Sequence, residues 1–429
     1  MYDAKTLKNN LLPGKGAGYN KIVDMDETHL NLPLFTNLLI LLVAAKILGE
    51  IFERFKQPAM IGEIIAGILL GPSFLGLVYR TEEVKVISEL GIFLLVIIAG
   101  LEINIDDIFN SMRGRNIVIS ILAFLIPVVS GVTVAHYFKQ DIMTTAFIGL
   151  CVAITALPVS IRILMDLGKI NSAVGQKIIS VAIFDDVLAL SILGVLLNIK
   201  DTDMSVDAVA AAASFSLVKL VFFVLLLSLT YMFIRRILNK GNYLQESLDR
   251  LVSLLKGKEP LFALFFAFVL LFSTITENLG LHFIVGAFFA SMLISESLIG
   301  EENFQAIETT TRNMAMGFLA PIFFASIGLE FSMSSVANYG LLFSVIAVSY
   351  LSKIAGGYFG GMLAGLSKHV ALTIGIGLNA RGIMELVIAN IAYSSGLISS
   401  EVFSILVLMG MLTTLTTPFL LRWAFNGGE

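Results

Sequence analysis

The stretch "VAITALPVSI" (residues 152–161) places a proline and two hydroxyl side chains in the middle of a long apolar segment. A second stretch, "GLNARG" (residues 377–382), interrupts a later apolar segment with two glycines, an asparagine and an arginine. Proline and glycine at such places are typical of discontinuous membrane helices. The sequence therefore predicts two interrupted helices, broken at Pro158 and at Gly377 and Gly382.

The composition identifies the class of protein in which these breaks occur. Of the 429 residues, 57% are hydrophobic and 14% are charged, whereas soluble domains are about one quarter charged. Apolar runs of about 20 residues recur along the chain, the length that a helix needs to cross a bilayer. The runs do not alternate apolar and polar residues as barrel strands do. We therefore expect an all-α polytopic membrane protein, and the net charge of -4 gives no sign of a nucleic-acid partner.

Thirteen candidate spans follow from the hydropathy. They lie near residues 32–52, 59–78, 86–103, 116–138, 142–164, 177–199, 207–234, 260–276, 281–298, 315–333, 338–364, 369–392 and 401–425. Lys and Arg concentrate in the loops after the odd-numbered spans. This bias predicts a cytoplasmic C-terminus and an N-terminus outside. We expect the membrane to be a bacterial inner membrane.

An internal repeat relates the two halves of the chain. "PAMIGEIIAGILLG" aligns with "HFIVGAFFASMLIS" and "IIAGLEINI" aligns with "FASIGLEFSM", at shifts of 224 and 228 residues. The two interrupted stretches align as well, and Ala156 matches Ala380. The matched spans are seven helices apart, and because seven is odd the halves must cross the membrane in opposite directions. Inverted repeats of this kind are typical of secondary transporters, which bind their substrate near the midplane.

The repeat also predicts the organisation of the chain. We expect a polar tail (1–31), a first repeat with spans 1 to 6 (32–199), a linker helix with a basic cytoplasmic loop (200–259), and a second repeat with spans 8 to 13 (260–425). The interrupted spans 5 and 12 occupy corresponding places in the two repeats.

Two adjacent aspartates lie inside the sixth span, in "SVAIFDDVLALSIL" (residues 180–193). A charged aspartate at the bilayer centre costs about 2.5 to 3.5 kcal/mol, so a casual pair is improbable. Neighbouring helical residues point about 100° apart, which gives Asp185 and Asp186 different neighbours. Lys353 in span 11 can pair with one of them, and the other remains free to bind a cation or a proton. A carboxylate between apolar surroundings and a lysine can exchange its proton near physiological pH, so H⁺ and a metal cation would compete for it.

The broken helices themselves offer further ligands. Unwound segments expose backbone carbonyls, and the side-chain oxygens of Thr155, Ser160 and Asn379 can join them around a dehydrated monovalent cation. A second group of buried charges is expected to brace the broken helices as ion pairs. Its members are Arg162, Arg381 and Glu385.

With these motifs the chain resembles the monovalent cation/proton antiporter-2 family of the sodium/proton antiporter superfamily. The resemblance covers residues 32–425 and rests on "QPAMIGEIIAGILLGP", "IFDDVLAL", "LAPIFFASIGLEF", "LSKIAGG" and "NARGIMELVIA". It implies thirteen helices in two inverted repeats, a dimerisation domain, and a six-helix core that crosses at spans 5 and 12. It also implies that Asp186 binds the transported cation and the proton, and that Asp185 pairs with Lys353.

The resemblance further implies a transport mode. Members with two aspartates and this lysine exchange cations for more protons, electrogenically, by an elevator-like movement, as homodimers in lipid and without a cofactor. Na⁺ is the expected cation, with K⁺ or Li⁺ as alternatives. Two departures leave the choice between Na⁺ and K⁺ open: Ile383 stands where many sodium-selective members have an acid, with Glu385 two residues later, and Pro158 replaces a small hydroxyl residue.

Two other readings compete with antiport. A sodium-coupled symporter of an organic anion would need anion-binding donors and room, whereas Asp185, Asp186 and Lys353 suit a bare cation. An intramembrane aspartyl protease would place its two aspartates on separate helices, one in a "GxGD" setting, and that motif does not occur. We therefore expect a transporter and not an enzyme.

Overall fold

The computed structural model describes residues 32–103, 114–199, 214–216, 218–219, 221–223, 225–232 and 259–426. This part of the chain consists of helices, turns and connecting segments. The predicted N-terminal tail and most of the predicted linker lie outside the described residues.

The described residues of the first half form eight helices. They are α1 (Leu34–Arg54), α2 (Ala59–Leu70), α3 (Glu82–Leu101), α4 (Asn116–Tyr137), α5 (Ile142–Ala153), α6 (Leu157–Asp166), α7 (Ala173–Ile199) and α8 (Ser214–Met232). Three positions within α8 (217, 220 and 224) are not among the described residues.

In the second half, the described residues form eight further helices. They are α9 (Glu259–Asn278), α10 (Phe283–Leu293), α11 (Glu301–Met314), α12 (Ala320–Glu330), α13 (Tyr339–Leu363), α14 (Lys368–Gly377), α15 (Ile383–Ser394) and α16 (Ser400–Asn426), with a single turn at Glu296–Ile299. Within the described ranges, nine helical segments are long and apolar enough to cross a membrane, and four shorter apolar helices accompany them. Each of the thirteen predicted spans contains at least one of these helices.

Two predicted boundaries are wrong. The second span was expected to reach residue 78, but α2 ends at Leu70 because Gly71 has an extended backbone and precedes a proline. The tenth span was expected to begin at 315, but its helix begins at Glu301. Residues 301–314 are too polar for a hydropathy criterion, and a π-helical turn (Ala315–Leu319) joins them to α12.

The helices pack in two groups. The scaffold group consists of α1, α2, α3, α9, α10, α11 and α12, and the core group consists of α4 to α7 and α13 to α16. Contacts within each group are extensive, for example between α2 and α12 or between α4 and α13. Contacts between the groups are sparser and include α3 with α15, α7 with α10 and α12 with α16. The scaffold group thus contains predicted spans 1–3 and 8–10, and the core group contains spans 4–6 and 11–13.

Two glycines allow close helix crossings at corresponding places in the scaffold group. A Cβ on Gly328 of α12 would lie 2.1 Å from the carbonyl oxygen of Ile64 in α2, and a Cβ on Gly100 of α3 would lie 2.5 Å from that of Phe288 in α10. Only a residue without a side chain fits either place. Gly100 matches Gly328 and Ile64 matches Phe288 in the predicted repeat, so the two crossings occupy corresponding positions in the two halves.

Candidate ion-binding site

Two interrupted helices cross in the core group, at the places where the sequence predicts breaks. Between α5 and α6, residues 154 and 156 have extended backbones, and residues 378–382 separate α14 from α15. The Ala156 amide donates to the Ala380 carbonyl at 2.8 Å, and the Thr155 hydroxyl donates to the Leu378 carbonyl at 3.0 Å. The two breaks are therefore bound directly to each other.

The residues predicted to break the helices lie at the ends of the helical halves. Pro158 is in the first turn of α6, where a missing N–H has no consequence because no intrahelical acceptor faces it. Gly377 is the last residue of α14, and Gly382 directly precedes α15. A Cβ on Gly382 would lie 2.9 Å from the Val159 side chain, so a glycine lets the two segments approach closely.

Asp185 of α7 forms an ion pair with Lys353 of α13, as the sequence predicts. The lysine Nζ lies 2.7 Å from Asp185 Oδ2, and both side chains are fully buried. Lys353 also donates to the carbonyls of Ala123, at 3.1 Å, and Ala153. An ammonium group has three donors, so all of those on Lys353 are used.

Asp186 has a different environment from its neighbour. Its side chain is fully buried, and neither carboxylate oxygen has a hydrogen-bond partner among the described residues. The backbone amide of Leu157, the first residue of α6, faces this carboxylate. Amides at a helix start carry partial positive charge, which favours a nearby anion without neutralising it. Asp186 is therefore a buried acid that lacks a full counter-charge of its own.

The three predicted polar ligands lie at or beside the crossing, and all are buried. Ser160 Oγ and Asn379 Oδ1 have no hydrogen-bond partner within the described part of the chain. Thr155 donates to the Leu378 carbonyl while its hydroxyl lies beside the Asp185 carboxylate. Two neutral oxygens therefore remain available for a ligand in the crossing segments.

Arg381 braces the crossing, but not through the predicted ion pair. Its guanidinium donates to the carbonyls of Cys151 and Val152, both at 2.5 Å, and to the Ser349 carbonyl at 3.3 Å. Cys151 and Val152 belong to the last turn of α5, where carbonyls lack intrahelical donors. The second break thus caps the helix that precedes the first break.

The other two predicted bracing charges also differ from expectation. Glu385 is fully buried and faces Arg381, yet its carboxylate oxygens have no partner within the described ranges. The prediction that Arg162 is buried is wrong, since its side chain is 48% exposed and pairs with Glu53 at 2.9 Å. The physical reason is that α6 is amphipathic, and its Arg162 side faces an open cavity.

Several contacts of the site escaped the sequence reasoning. The Thr414 hydroxyl of α16 donates to the Arg381 carbonyl at 2.5 Å, and the carbonyls of Ala123 and Ala153 hold Lys353. The run "TTLTT" in the last span is a signal that could have indicated the first of these. The sequence gives no signal for the two carbonyls that hold Lys353, because every residue has a carbonyl.

The arrangement can bind a small cation or a proton, because it combines a buried free carboxylate with neutral oxygens and a fixed ion pair. Within the part of the chain that the structure describes, no group of three or more His, Cys, Asp or Glu side chains could hold a resident metal ion.

Known proteins with similar sequences are cation/proton antiporters. Residues 38–426 match the family described as "Sodium/hydrogen exchanger, transmembrane". A Na⁺/H⁺-K⁺ antiporter of Bacillus cereus is 28% identical over 398 residues, covering 92% of this chain and 97% of that protein. A Na⁺/H⁺ antiporter of Enterococcus hirae is also 28% identical, over 90% of this chain and 96% of that protein.

A solved structure has the same fold. It is that of a sodium proton antiporter from Methanocaldococcus jannaschii, with a TM-score of 0.67 and 16% sequence identity. The match covers 91% of this chain and 97% of that chain. At this identity the similarity establishes the fold, a polytopic helical membrane protein.

Proposed function

The chain belongs to the transmembrane sodium/hydrogen exchanger family, and from that membership we propose that it exchanges Na⁺ for H⁺ at Asp186. The observation that carries the proposal is the contrast between the two adjacent aspartates: Asp185 forms an ion pair with Lys353, whereas the carboxylate oxygens of Asp186 have no hydrogen-bond partner within the described residues. Relatives named as antiporters support cation/proton exchange and not an enzymatic reaction.

Competition for one carboxylate couples the two fluxes. An ionised carboxylate in apolar surroundings is costly, and either a bound proton or a bound Na⁺ removes most of that cost. The empty, charged form of Asp186 would therefore be the least favourable form to move through the membrane. Each transit in one direction then carries a cation, and each transit in the other carries a proton.

The division into two helix groups supports an elevator-like movement. Asp185, Asp186, Lys353 and both interrupted helices belong to the core group, so the whole site can move as a unit. The sparser contacts between core and scaffold groups permit such a displacement. In this proposal the scaffold group stays fixed and also forms the homodimer contact.

Several finer properties belong to the same proposal. Exchange is electrogenic, with more protons than cations per cycle, because the Asp185–Lys353 pair offers a second group that can exchange a proton. The membrane is a bacterial inner membrane, with the N-terminus outside and the C-terminus in the cytoplasm. The repeats occupy 32–199 and 260–425, the linker lies between them, and no cofactor takes part.

The symporter alternative receives no support from the site. An organic anion would need free cationic donors, but all three donors of Lys353 are used, and Arg381 binds backbone carbonyls. Apart from Arg381 Nε, the side-chain atoms at the crossing that have no hydrogen-bond partner within the described residues are oxygens, which suit a cation.

The test is cation-dependent proton flux in proteoliposomes. Gradients of Na⁺, Li⁺ and K⁺ are imposed in turn, with the membrane potential first free and then clamped. We expect Na⁺ to drive proton movement, and we expect the rate to depend on the clamped potential. If none of the three cation gradients drove proton movement, exchange would be contradicted. If the rate did not depend on the membrane potential, only the electrogenic part of the proposal would be contradicted.

A further inference from the structure

A cavity of about 300 Å³ leads to the crossing from one side of the protein. Its walls come mainly from α1, α2 and α6. Two of the residues that line it are Val159 of α6 and Ile383 of α15. These two residues lie in the first turns of α6 and α15, the second halves of the interrupted helices. The cavity therefore ends against the segments that hold the ion-binding site.

Most charges that line this cavity already have partners. Lys46 donates to the Met316 carbonyl at 2.6 Å. Arg162 pairs with Glu53 at 2.9 Å. Glu50 pairs with Arg54 at 3.2 Å and is largely exposed. Lys46 and Arg162 are themselves cations, and the charges of Glu50 and Glu53 are offset by the arginines beside them.

Glu63 of α2 is the exception. Its side chain lines the cavity, is only 5% exposed, and makes no hydrogen bond or ion pair with any described residue. Lys46 is the nearest opposite charge, but it is held by the Met316 carbonyl. A Cβ on Gly49 would lie 3.3 Å from Glu63 Cγ, so the stem of the glutamate is packed closely against α1. The stem of Glu63 thus lies against α1 at the wall of the cavity.

We propose that Glu63 is a cation-binding residue of this cavity, a buried carboxylate that a monovalent cation contacts on its way to Asp186. The inference rests on the proposed exchange function and adds a position to its route. A buried carboxylate without a partner gains most from a cation, and a cation that leaves bulk water needs an oxygen ligand to replace lost hydration. Glu63 supplies that ligand, whereas Asp186 binds the cation for transit.

The proposal predicts a one-sided effect on apparent affinity. If Glu63 only receives the cation, its loss raises the KM for cation supplied on the cavity side and leaves the maximal rate unchanged. The KM for cation supplied on the opposite side stays the same, because that route does not pass α2. A purely structural role would change both sides together.

The experiment measures Na⁺-dependent proton flux at both faces, using everted membrane vesicles and right-side-out vesicles. In Glu63→Gln we expect the KM for Na⁺ at the cavity face to rise about tenfold, since charge in a cleft concentrates counter-ions by at least that factor. Glu63→Asp keeps the negative charge on a side chain that is one methylene shorter. The KM of this variant for Na⁺ at the cavity face should therefore rise by about threefold. Glu50→Gln, in the same cavity but paired with an exposed arginine, should leave the KM within about twofold of the unchanged protein.

Two results would overturn the inference. One is an unchanged KM at the cavity face in both Glu63 variants, and the other is an equal change at both faces. Flux in the unchanged protein separates this failure from failure of the proposed function: if the unchanged protein shows no cation-dependent flux, exchange itself is wrong. If Glu63→Gln does not accumulate in the membrane, Glu63→Asp carries the same comparison between faces.

Discussion

The two interrupted helices have similar backbones, but the charged side chains at their breaks have opposite signs. Both unwind for a few residues, and the breaks are joined by the hydrogen bond from Ala156 to Ala380. The first break directs the start of α6 at an acid, Asp186. The second break contributes Arg381, a base, which caps the end of α5.

This difference shows how two breaks that match in the predicted repeat can hold different chemical groups. The two breaks form one crossing with four helix ends and their partial charges. Arg381 and Lys353 occupy the carbonyls at the end of α5, so that end cannot attract a cation. The crossing can therefore bind a cation only at oxygens that have no partner within the described residues, and these include both carboxylate oxygens of Asp186.

The largest expected loss of stability comes from removing Arg381, the cationic side chain of the second break. Arg381→Met leaves the carbonyls of Cys151, Val152 and Ser349 buried without these donors, each costing about 1 to 3 kcal/mol. We expect a destabilisation of about 5 kcal/mol, measured as a fall in melting temperature of the purified protein in detergent.

Arg162→Met is the matched control for this change. It removes an arginine whose ion pair with Glu53 is half exposed, which is worth about 1 kcal/mol or less. If both substitutions lowered the melting temperature equally, the contacts of Arg381 with the end of α5 would not be the reason for its stabilising effect.

The next effect concerns the ion pair. Lys353→Met leaves the buried Asp185 carboxylate without its counter-charge, which costs about 3 to 5 kcal/mol. Adding Asp185→Asn to the same protein removes the unpaired charge and should restore most of the lost melting temperature. If Asp186→Asn restored stability equally well, the assignment of the lysine to Asp185 would be wrong.

The smallest effect belongs to Glu385, the acid of the second break. Its carboxylate makes no hydrogen bond within the described residues, so Glu385→Gln removes no such contact. We expect the melting temperature to change by an amount equivalent to less than about 1 kcal/mol. A loss as large as that of Lys353→Met would instead show that Glu385 and Arg381 form an energetically important pair.

Much of this site was readable from the sequence because it depends on residue types that are rare inside membranes. Asp185, Asp186 and Lys353 are costly to bury, so their presence predicted a site and an ion pair. The breaks were readable because proline and glycine punctuate helices and because the two stretches align in the repeat.

The parts that could not be predicted depend on backbone atoms and on exposure. Arg381 was expected to pair with an acid, but its acceptors are carbonyls, which every residue carries and no motif marks. Arg162 was expected to be buried because its span is apolar on average, yet its side of α6 opens to a cavity. The start of α11 was missed because a polar helix has no hydropathy signal.

The central claim, that Asp186 carries the cation and the proton, is tested most directly by Asp186→Asn in proteoliposomes. An amide of the same shape keeps the packing but cannot be ionised, so the variant should fold and show no cation-driven proton flux above that of empty liposomes. Cation-driven flux at the rate of the unchanged protein would contradict the claim.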